Sequence, residues 1–285
     1  MQTMAEARAW AMDEFRHAGV ESSALASDLL LGFVTGRDRI YVLSHTEEKL
    51  SDAFWSQYRA LVLRHAKGEP LQYLTGEREF YGLDFRVTPA VLIPRPETEI
   101  LVGAVLRIIQ GNYNSGMKFV DVGTGSGCIA VSIAHSVPLS NGWATDISKQ
   151  ALEIAHLNAS RHGVSGRIQF VQADLLECFS RKPAFDFILS NPPYVTLEEY
   201  DTLPSSVRDY EPHRALLGGG DGLDLYRRFI PEVLPRLKPG GFLLLESGAG
   251  QAERIGRIIE KEGLVLQEVL DDLQKIPRCL IARNV

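Results

Sequence analysis

A glycine-rich segment after a short apolar strand is the strongest constraint on how this chain folds. Residues 119–122 are apolar around Asp121, residues 123–127 have glycine at every second position, and an apolar helical pattern begins at Cys128. Alternate glycines let a chain turn sharply and let a ligand approach the backbone closely. The order of strand, glycine loop and helix predicts a nucleotide-type site, where helix N–H groups suit a carboxylate or a phosphate.

The glycine spacing leaves the ligand open. Gly125, Gly127 and Ala130 also fit the pattern G-x-G-x-x-A of dinucleotide-binding proteins, so a nicotinamide enzyme is one interpretation. Asp146 follows the next predicted strand, about twenty residues beyond the glycines, where an acidic side chain binds ribose hydroxyls. Its simpler interpretation is a helix cap. Asp174, after the third predicted strand, is placed to accept from the amino group of an adenine.

Short apolar segments alternate with helical patterns in the second part of the chain. The predicted strands are residues 119–120, 142–145, 168–171, 187–189 and 241–245. Such alternation is typical of βαβ units and predicts an α/β fold with a parallel, doubly wound sheet. Before the first of these strands, a helix is predicted to open at Thr98 and Glu99, and residues 111–116 are predicted to be a loop.

The first part of the chain has a helical period. Apolar residues recur every three or four positions between residues 3 and 74, which predicts a small helical bundle. Between residues 76 and 93 the period becomes two, which predicts a β-hairpin with residues 88–90 near its turn. We therefore divide the chain into a helical domain (1–75), whose lack of a polar cluster suggests a docking surface, a hairpin connector (76–93) and an α/β domain (94–285).

The charge balance argues against a nucleic-acid-binding protein. The net charge is −6, with 10 basic and 13 acidic residues up to Ile93 and 20 and 23 after it, whereas nucleic-acid binders carry a basic excess. Three distant cysteines without a C-x-x-C pair fit a reducing compartment and do not support a zinc site. We recognise no signal peptide, membrane span or coiled-coil heptads. We therefore expect a cytoplasmic monomer without a metal.

A second chemical motif, Asn191-Pro192-Pro193-Tyr194, follows a predicted buried strand over residues 185–190. Two consecutive prolines lack N–H donors, so they form a rigid turn whose carbonyl oxygens have no competing backbone donor. An asparagine amide accepts through its oxygen and donates through its nitrogen. Asn191 Oδ1 and the Pro192 carbonyl together suit a planar substrate nitrogen that carries two hydrogens, with the Tyr194 ring stacked over its plane. A strand that merely ends in a turn is the alternative interpretation.

Together these motifs resemble the S-adenosylmethionine-dependent methyltransferases that modify planar nitrogens. Within that class the chain is similar to the protein-(glutamine-N5) methyltransferases of peptide chain release factors, the PrmC/HemK family. The segments that carry this narrower resemblance are residues 76–83, 91–99, 219–223 and 237–241. Asn-Pro-Pro-Tyr alone is shared with DNA and RNA amino-methyltransferases, and residues 73–99 separate the two groups. The resemblance is strong from Leu71 onward and looser before it.

The resemblance implies a Rossmann-like class I methyltransferase fold with about seven strands, the last antiparallel. It implies S-adenosylmethionine as methyl donor, S-adenosylhomocysteine as product, and the glutamine of the release factor Gly-Gly-Gln loop as substrate. From the motifs and the resemblance, the expected cofactor-binding residues are Gly123, Thr124, Gly125, Ser126, Gly127, Asp146, Asp174, Leu175 and Asn191. The expected substrate-binding residues are Asn191, Pro192, Pro193 and Tyr194, of which Asn191, Pro192 and Tyr194 are expected to be catalytic.

Three other functions stay open at this point. They are a nucleic-acid amino-methyltransferase acting on adenine N6 or guanine N2, a nicotinamide dehydrogenase, and a non-catalytic binding module. The dehydrogenase does not account for Asn-Pro-Pro-Tyr, and the binding module leaves the cofactor loop idle. We expect the long stretch 196–224 to form part of the substrate mouth, and residues 95–99 to close the cofactor pocket from the other side. The seven histidines form no local metal or triad pattern.

Overall fold

The computed structural model describes residues 2–112 and 116–285, without the side chains of residues 111 and 112. By their contacts the residues form two compact units, the first comprising Met1–Glu77 and Pro204–Tyr210, and the second Arg78–Leu203 and Glu211–Val285. The loop predicted over 111–116 is wrong at its start, because the helix that precedes it continues to Asn112. Residues 113–115 of that predicted loop lie outside the described residues.

The first unit is helical, as the apolar period predicts. Its helices are α1 (Met4–His17), α2 (Ser23–Thr35), α3 (Arg39–Ser44), α4 (Asp52–Ala66), α5 (Leu71–Thr75) and, from the second segment, α10 (Ser205–Arg208). Phe15 and Tyr58 are fully buried in its core. The Asp28 carboxylate is buried as well, and it accepts hydrogen bonds from Arg8 and Arg39. A buried charge is tolerated only when it is paired in this way.

The β-hairpin exists, but its predicted turn is wrong. The strands are β1 (Glu77–Phe80) and β2 (Leu83–Arg86), so the chain reverses at Tyr81 and Gly82 and not at residues 88–90. Both turn residues have positive φ values, 53° and 74°, which is the backbone of a tight two-residue hairpin. Tyrosine rarely adopts this conformation, and here its N–H donates to Glu99 Oε1 at 3.0 Å. That long-range contact is not visible in the local sequence pattern.

The second unit contains a sheet of seven strands among the residues described. They are β3 (Lys118–Val122), β4 (Asn141–Asp146), β5 (Ile168–Gln172), β6 (Phe185–Ser190), β7 (Leu237–Glu246), β8 (Val265–Asp271) and β9 (Pro277–Arg283). Their order is β5-β4-β3-β6-β7-β9-β8. β9 is antiparallel to both neighbours and the other neighbouring pairs are parallel. The predicted Rossmann-like sheet with an antiparallel last strand is confirmed.

The order in which successive strands are added to the sheet reverses at β3, because β4 lies on one side of β3 and β6 on the other. The register pairs Val122 with Thr145 and Ser190, and Ser190 with Leu245. The carboxyl ends of β3, β4, β6 and β7 therefore lie in one row. Open α/β sheets bind ligands outside the carboxyl ends of their strands at such a reversal. The glycine loop and Asn-Pro-Pro-Tyr both begin in this row.

Helices cover the two faces of this sheet. One face is packed by α6 (Glu99–Asn112), α7 (Cys128–Ser136) and α8 (Lys149–Arg161), the other by α12 (Asp224–Val233) and α13 (Ala252–Lys261). Phe119 and Val120 point into the two opposite cores, as successive strand residues do. In the chain, β6 is followed by two short helices of this unit, α9 (Leu197–Thr202) and α11 (His213–Leu216), which precede α12. No helix of the described ranges is long and apolar enough to cross a membrane.

Close packing between β3 and β4 yields a stability prediction. A Cβ added at Gly142 would lie 2.4 Å from Phe119 Cζ, and that ring is completely buried. Gly142→Ala should therefore lower the free energy of unfolding by about 1–3 kcal/mol through overpacking, which urea denaturation measures. Gly166→Ala is the matched control, because a Cβ there meets nothing within 4 Å, and its change should stay within about 0.5 kcal/mol. Equal losses in both variants would contradict the packing argument.

Candidate active site

The glycine loop connects the carboxyl end of β3 to α7. Gly123, Gly125 and Gly127 have positive φ values of 72°, 55° and 81°. A Cβ at Gly127 would lie 2.9 Å from Ala155 Cβ in α8, so glycine is needed there for helix packing. A Cβ at Gly123 or Gly125 would meet nothing within 4 Å. That side of the loop is therefore open, and a ligand can approach its backbone.

Asp121 lies beneath this loop and is completely buried. Its Oδ2 accepts from Thr124 Oγ1 at 2.6 Å and from the Ala130 N–H at 3.3 Å. Its Oδ1 is buried and has no hydrogen-bond partner in the described part of the chain. Burial raises the pKa of Asp121 to about 7. A buried carboxylate oxygen without a donor is costly, and a ligand that brings an N–H or a positive charge removes that cost.

Asp146 lies at the end of β4 and contacts the loop directly. Its Oδ2 accepts from the Gly125 N–H at 2.9 Å and its Oδ1 from the Ser148 N–H at 2.9 Å. The second bond is to the N–H of Ser148, which is itself the N-cap of α8 through its own side chain, so Asp146 holds the turn before the helix and does not cap it. Burial raises the pKa of Asp146 above its usual range. The carboxylate is thus held at the loop by two backbone donors.

Asp174 and Leu175 follow β5, next to the end of β4. The Ala173 N–H donates to the Asp146 carbonyl at 3.1 Å, which joins the two strand ends. Leu175 is buried with a positive φ of 54°. Asp174 Oδ2 accepts from Arg228 Nη2 at 2.7 Å, so this carboxylate forms an ion pair with α12. The structure therefore places both residues beside Asp146 and gives Asp174 a cationic partner that the sequence pattern does not predict.

Among the described residues, the side-chain amide of Asn191 is hydrogen-bonded through its nitrogen only. The side chain is half-buried, and its Nδ2 donates to Thr98 Oγ1 at 3.1 Å. Thr98 Oγ1 in turn donates to Glu246 Oε2 at 2.6 Å. Both partners are 2 % exposed. Burial raises the pKa of Glu246 to about 7.

The rest of the Asn-Pro-Pro-Tyr turn is packed by the chain that follows it. The Tyr194 carbonyl accepts from Gln251 Nε2 at 2.8 Å. A Cβ at Gly218 would lie 2.7 Å from the Pro193 carbonyl oxygen, and one at Gly222 would lie 2.3 Å from the Tyr194 carbonyl oxygen. Burial raises the pKa of the Tyr194 hydroxyl to about 12, so it is neutral at physiological pH. The glycines of residues 218–222 therefore let their backbone contact the turn directly.

Residues 93–98 are fixed beside the same row of strand ends. Glu211 is buried, and its carboxylate accepts from the Ile93 N–H at 3.1 Å and from Arg95 Nη2 at 2.6 Å. The Thr98 N–H donates to the Arg95 carbonyl at 3.1 Å. Residues Pro96–Thr98 form a single 3₁₀ turn that leads into α6. The hydrogen bonds of the Glu211 carboxylate and of the Arg95 carbonyl hold Thr98 in position against Asn191.

The sequence pattern does not identify three of the polar side chains at this site. Asp121 is visible only as part of the glycine motif, Thr98 only as the start of a helix, and Glu246 follows the predicted strand 241–245 without a role. An acidic residue at the carboxyl end of a predicted parallel strand is the signal that finds Asp121 and Glu246, because such ends meet at one edge. Nothing in the local sequence pairs Thr98 with either of its partners.

Comparisons with known proteins agree with this architecture. Residues 6–76 match the family described as PrmC N-terminal domain, and residues 98–205 match the family described as methyltransferase small domain. A methyltransferase structure from Pyrococcus furiosus superposes with a TM-score of 0.53 at 18% identity, covering 80% of this chain and 98% of that one. At that identity the likeness supports the fold alone.

Curated relatives carry the narrower assignment. The release factor glutamine methyltransferase of Koribacter versatilis is 41% identical over 282 residues, 99% of each chain. The protein of the same name from Bacillus subtilis is 39% identical over 288 residues, covering 99% of this chain and 98% of its own. The resemblance predicted from the sequence motifs is thereby confirmed. The chain belongs to the release factor glutamine methyltransferase family.

Proposed function

We propose that this protein transfers a methyl group from S-adenosylmethionine to the side-chain amide nitrogen (N5) of the glutamine in the Gly-Gly-Gln motif of peptide chain release factors. The observation that carries the proposal is the Asn191 amide, fixed through its Nδ2 at the row of strand ends that also contains the open glycine loop. Family membership supplies the class of substrate. The alternatives of a nucleic-acid methyltransferase or a dehydrogenase are not favoured by these relatives.

The residues of the first strand end fit this cofactor. We assign Gly123, Thr124, Gly125, Ser126 and Gly127 to its main-chain cradle, because the loop is open at Gly123 and Gly125. The unpaired Oδ1 of Asp121 provides an acceptor for a cationic group of the cofactor. Asp146 is assigned to the ribose hydroxyls, with Asp174 and Leu175 beside the adenine, and Asn191 would border the methyl group. When bound, S-adenosylmethionine would supply an activated methyl group on its sulfonium, and S-adenosylhomocysteine would be the product that keeps the electrons of the broken S–C bond.

The chain must compensate for a weak nucleophile. The lone pair of an amide nitrogen is delocalised into its carbonyl, so orientation of that nitrogen is the main contribution available to the protein. We assign its two N–H groups to Asn191 Oδ1 and the Pro192 carbonyl, with Pro193 shaping the turn and Tyr194 covering the amide plane. These acceptors also stabilise the positive charge that develops on nitrogen as the N–C bond forms. Loss of one N–H proton to water then restores a neutral, methylated amide.

The remaining assignments follow the division of the chain. Residues 1–75 dock the release factor, residues 76–93 connect, and residues 94–285 carry out transfer. The stretch 196–224 contributes to the substrate mouth, which the contact of Gly218 and Gly222 with the Asn-Pro-Pro-Tyr backbone supports. Residues 95–99 border the cofactor pocket. The protein works in the cytoplasm as a monomer, without direct binding of nucleic acid or a membrane.

Removal of the Asn191 amide tests the assignment of the acceptor. Asn191→Ala should lower methyl transfer by at least about 100-fold, because a preorganised acceptor at the reacting atom is lost, while cofactor binding largely survives through the glycine loop. Mass spectrometry of a release factor incubated with the protein and S-adenosylmethionine measures one added methyl on the loop glutamine. A release factor without that glutamine is the substrate control, and Asn141→Ala, at the exposed start of β4, is the protein control. Wild-type turnover by Asn191→Ala would contradict the mechanism, and absence of methylation by the wild type would contradict the substrate.

The buried carboxylate beneath the loop yields a prediction for cofactor affinity. Asp121→Asn should weaken binding of S-adenosylmethionine by about tenfold or more, the value of one charge-assisted hydrogen bond, as measured by calorimetry. Because the pKa of Asp121 lies at about 7, the wild-type affinity should fall as the pH drops from 8 to 6, whereas that of Asp121→Asn should not. Asp186→Asn is the control, since this carboxylate pairs with Lys238 at the opposite end of β6. Identical affinities for all three proteins would refute the role of Asp121.

A further inference from the structure

The orientation of the Asn191 amide decides whether it can assist the reaction. A rotation of its last side-chain torsion by 180° exchanges Oδ1 and Nδ2, which changes an acceptor into a donor. A substrate nitrogen that carries two hydrogens needs the acceptor and is repelled by the donor. The turn 191–194 alone does not select between the two orientations. Another group must therefore select one.

A buried chain of two hydrogen bonds makes this selection. An ionised carboxylate only accepts, so the single hydroxyl proton of Thr98 must be donated to Glu246, and their oxygens lie 2.6 Å apart. The Thr98 oxygen is then left only with lone pairs toward Asn191. A favourable contact at the observed 3.1 Å therefore requires the Nδ2 of Asn191 on that side. Its Oδ1 is directed away from Thr98.

We propose that Thr98 and Glu246 are positioning residues of the transfer reaction, which keep Asn191 Oδ1 available for an N–H of the substrate amide. The proposal rests on the proposed function and adds to it the origin of the amide orientation. Neither residue contacts the substrate in this mechanism, and both act through Asn191. The chain of bonds has a direction, from Asn191 to Thr98 to Glu246, and the negative charge at its end sets that direction.

Thr98 and Glu246 are both held rigidly in place. Glu246 is the last residue of β7, one position beyond Leu245, which pairs with Ser190 immediately before Asn191. Its carbonyl accepts from the buried hydroxyl of Tyr226 at 2.7 Å. Thr98 ends the 3₁₀ turn that the Arg95 carbonyl and the Glu211 carboxylate hold. Positions fixed by packing and backbone bonds are what a geometric role requires.

The groups around Glu246 bring its pKa close to neutral pH. Burial raises its pKa to about 7, the Thr98 hydroxyl and the cations of Arg278 and Arg95 lower it, and Glu97 raises it. Other titratable groups whose pKa values are coupled to its charge are Cys128 on α7, Tyr194, Tyr226 on α12 and Cys279 on β9. A protonated Glu246 can donate to Thr98, and Thr98 can then donate to Asn191 Oδ1. The orientation of the amide is no longer enforced below this pKa.

Variants of Thr98 test the hydroxyl in the complete protein. Thr98→Val removes it with little change in volume and should lower kcat for release factor methylation by at least about tenfold, measured with both substrates saturating. The KM for S-adenosylmethionine should change less than kcat, because residues 95–99 only border the cofactor pocket and the main-chain cradle of residues 123–127 is unchanged. Thr98→Ser retains the hydroxyl and should recover kcat to within about threefold of wild type. A wild-type kcat in Thr98→Val, or equal losses in the Val and Ser variants, would overturn the proposal.

The pH profile tests the charge, with Glu246→Gln as a near-isosteric variant that needs no change in packing. The wild-type kcat should fall by about tenfold between pH 8 and pH 6, following the ionised fraction of a group with a pKa of about 7. Glu246→Gln should show no such fall. Saturating cofactor removes the parallel titration of Asp121, which acts on affinity. An acid limb that survives in Glu246→Gln would overturn the proposal, whereas a wild-type protein that methylates no release factor would instead refute the proposed function.

Discussion

The register of four parallel strands is the constraint on which the whole site depends. Val122 pairs with both Thr145 and Ser190, and Ser190 pairs with Leu245. The Ser190 hydroxyl strengthens this alignment by donating to the Val122 carbonyl at 2.7 Å inside the core. A slip of one residue in any of these pairs would turn the side chains of that strand to the opposite face. The glycine loop, Asp146, Asn191 and Glu246 meet because this register is fixed by burial on both faces.

Glycine has different physical roles in the two loops of the site. At Gly125 the open side admits a ligand, whereas at Gly127 the space is already filled by Ala155 of α8. At Gly218 and Gly222 the missing side chain lets one backbone pack on the carbonyls of another, those of Pro193 and Tyr194. The Asn-Pro-Pro-Tyr turn is therefore rigid from two causes, its own prolines and the backbone packed against it. In the proposed mechanism, this rigidity keeps the acceptors of the turn at a constant distance from the reacting atoms.

Local patterns predicted the parts of this molecule that local forces determine. The five strands β3 to β7, the helices of residues 3–74 and the motif residues at the strand ends follow from apolar periods and from turn chemistry. The segments β8 and β9 are not located in this way, and only the resemblance implies about seven strands. The hairpin turn at Tyr81 could not be predicted this way, because a distant carboxylate, that of Glu99, holds its unusual backbone. The same applies to Thr98 and Glu246, which are 148 positions apart and meet only in the folded chain. Pairs that the tertiary structure creates leave no trace in a single sequence.

The two buried carboxylates show how the site and the stability of the fold oppose each other. Asp121 and Glu246 have pKa values of about 7 in the folded protein, compared with about 4 in an unfolded chain. Between these values the folded state binds more protons than the unfolded chain. The contribution of these two groups therefore lowers the free energy of unfolding as the pH rises from about 4 to about 7. Their proposed roles require the ionised form, which prevails above that pH. The pH range in which the acceptors would function is thus the range in which burying them costs most. Under the proposed assignment, a cationic cofactor bound at Asp121 would offset part of that cost. This opposition is expected wherever a fold buries an acceptor for use and not for packing.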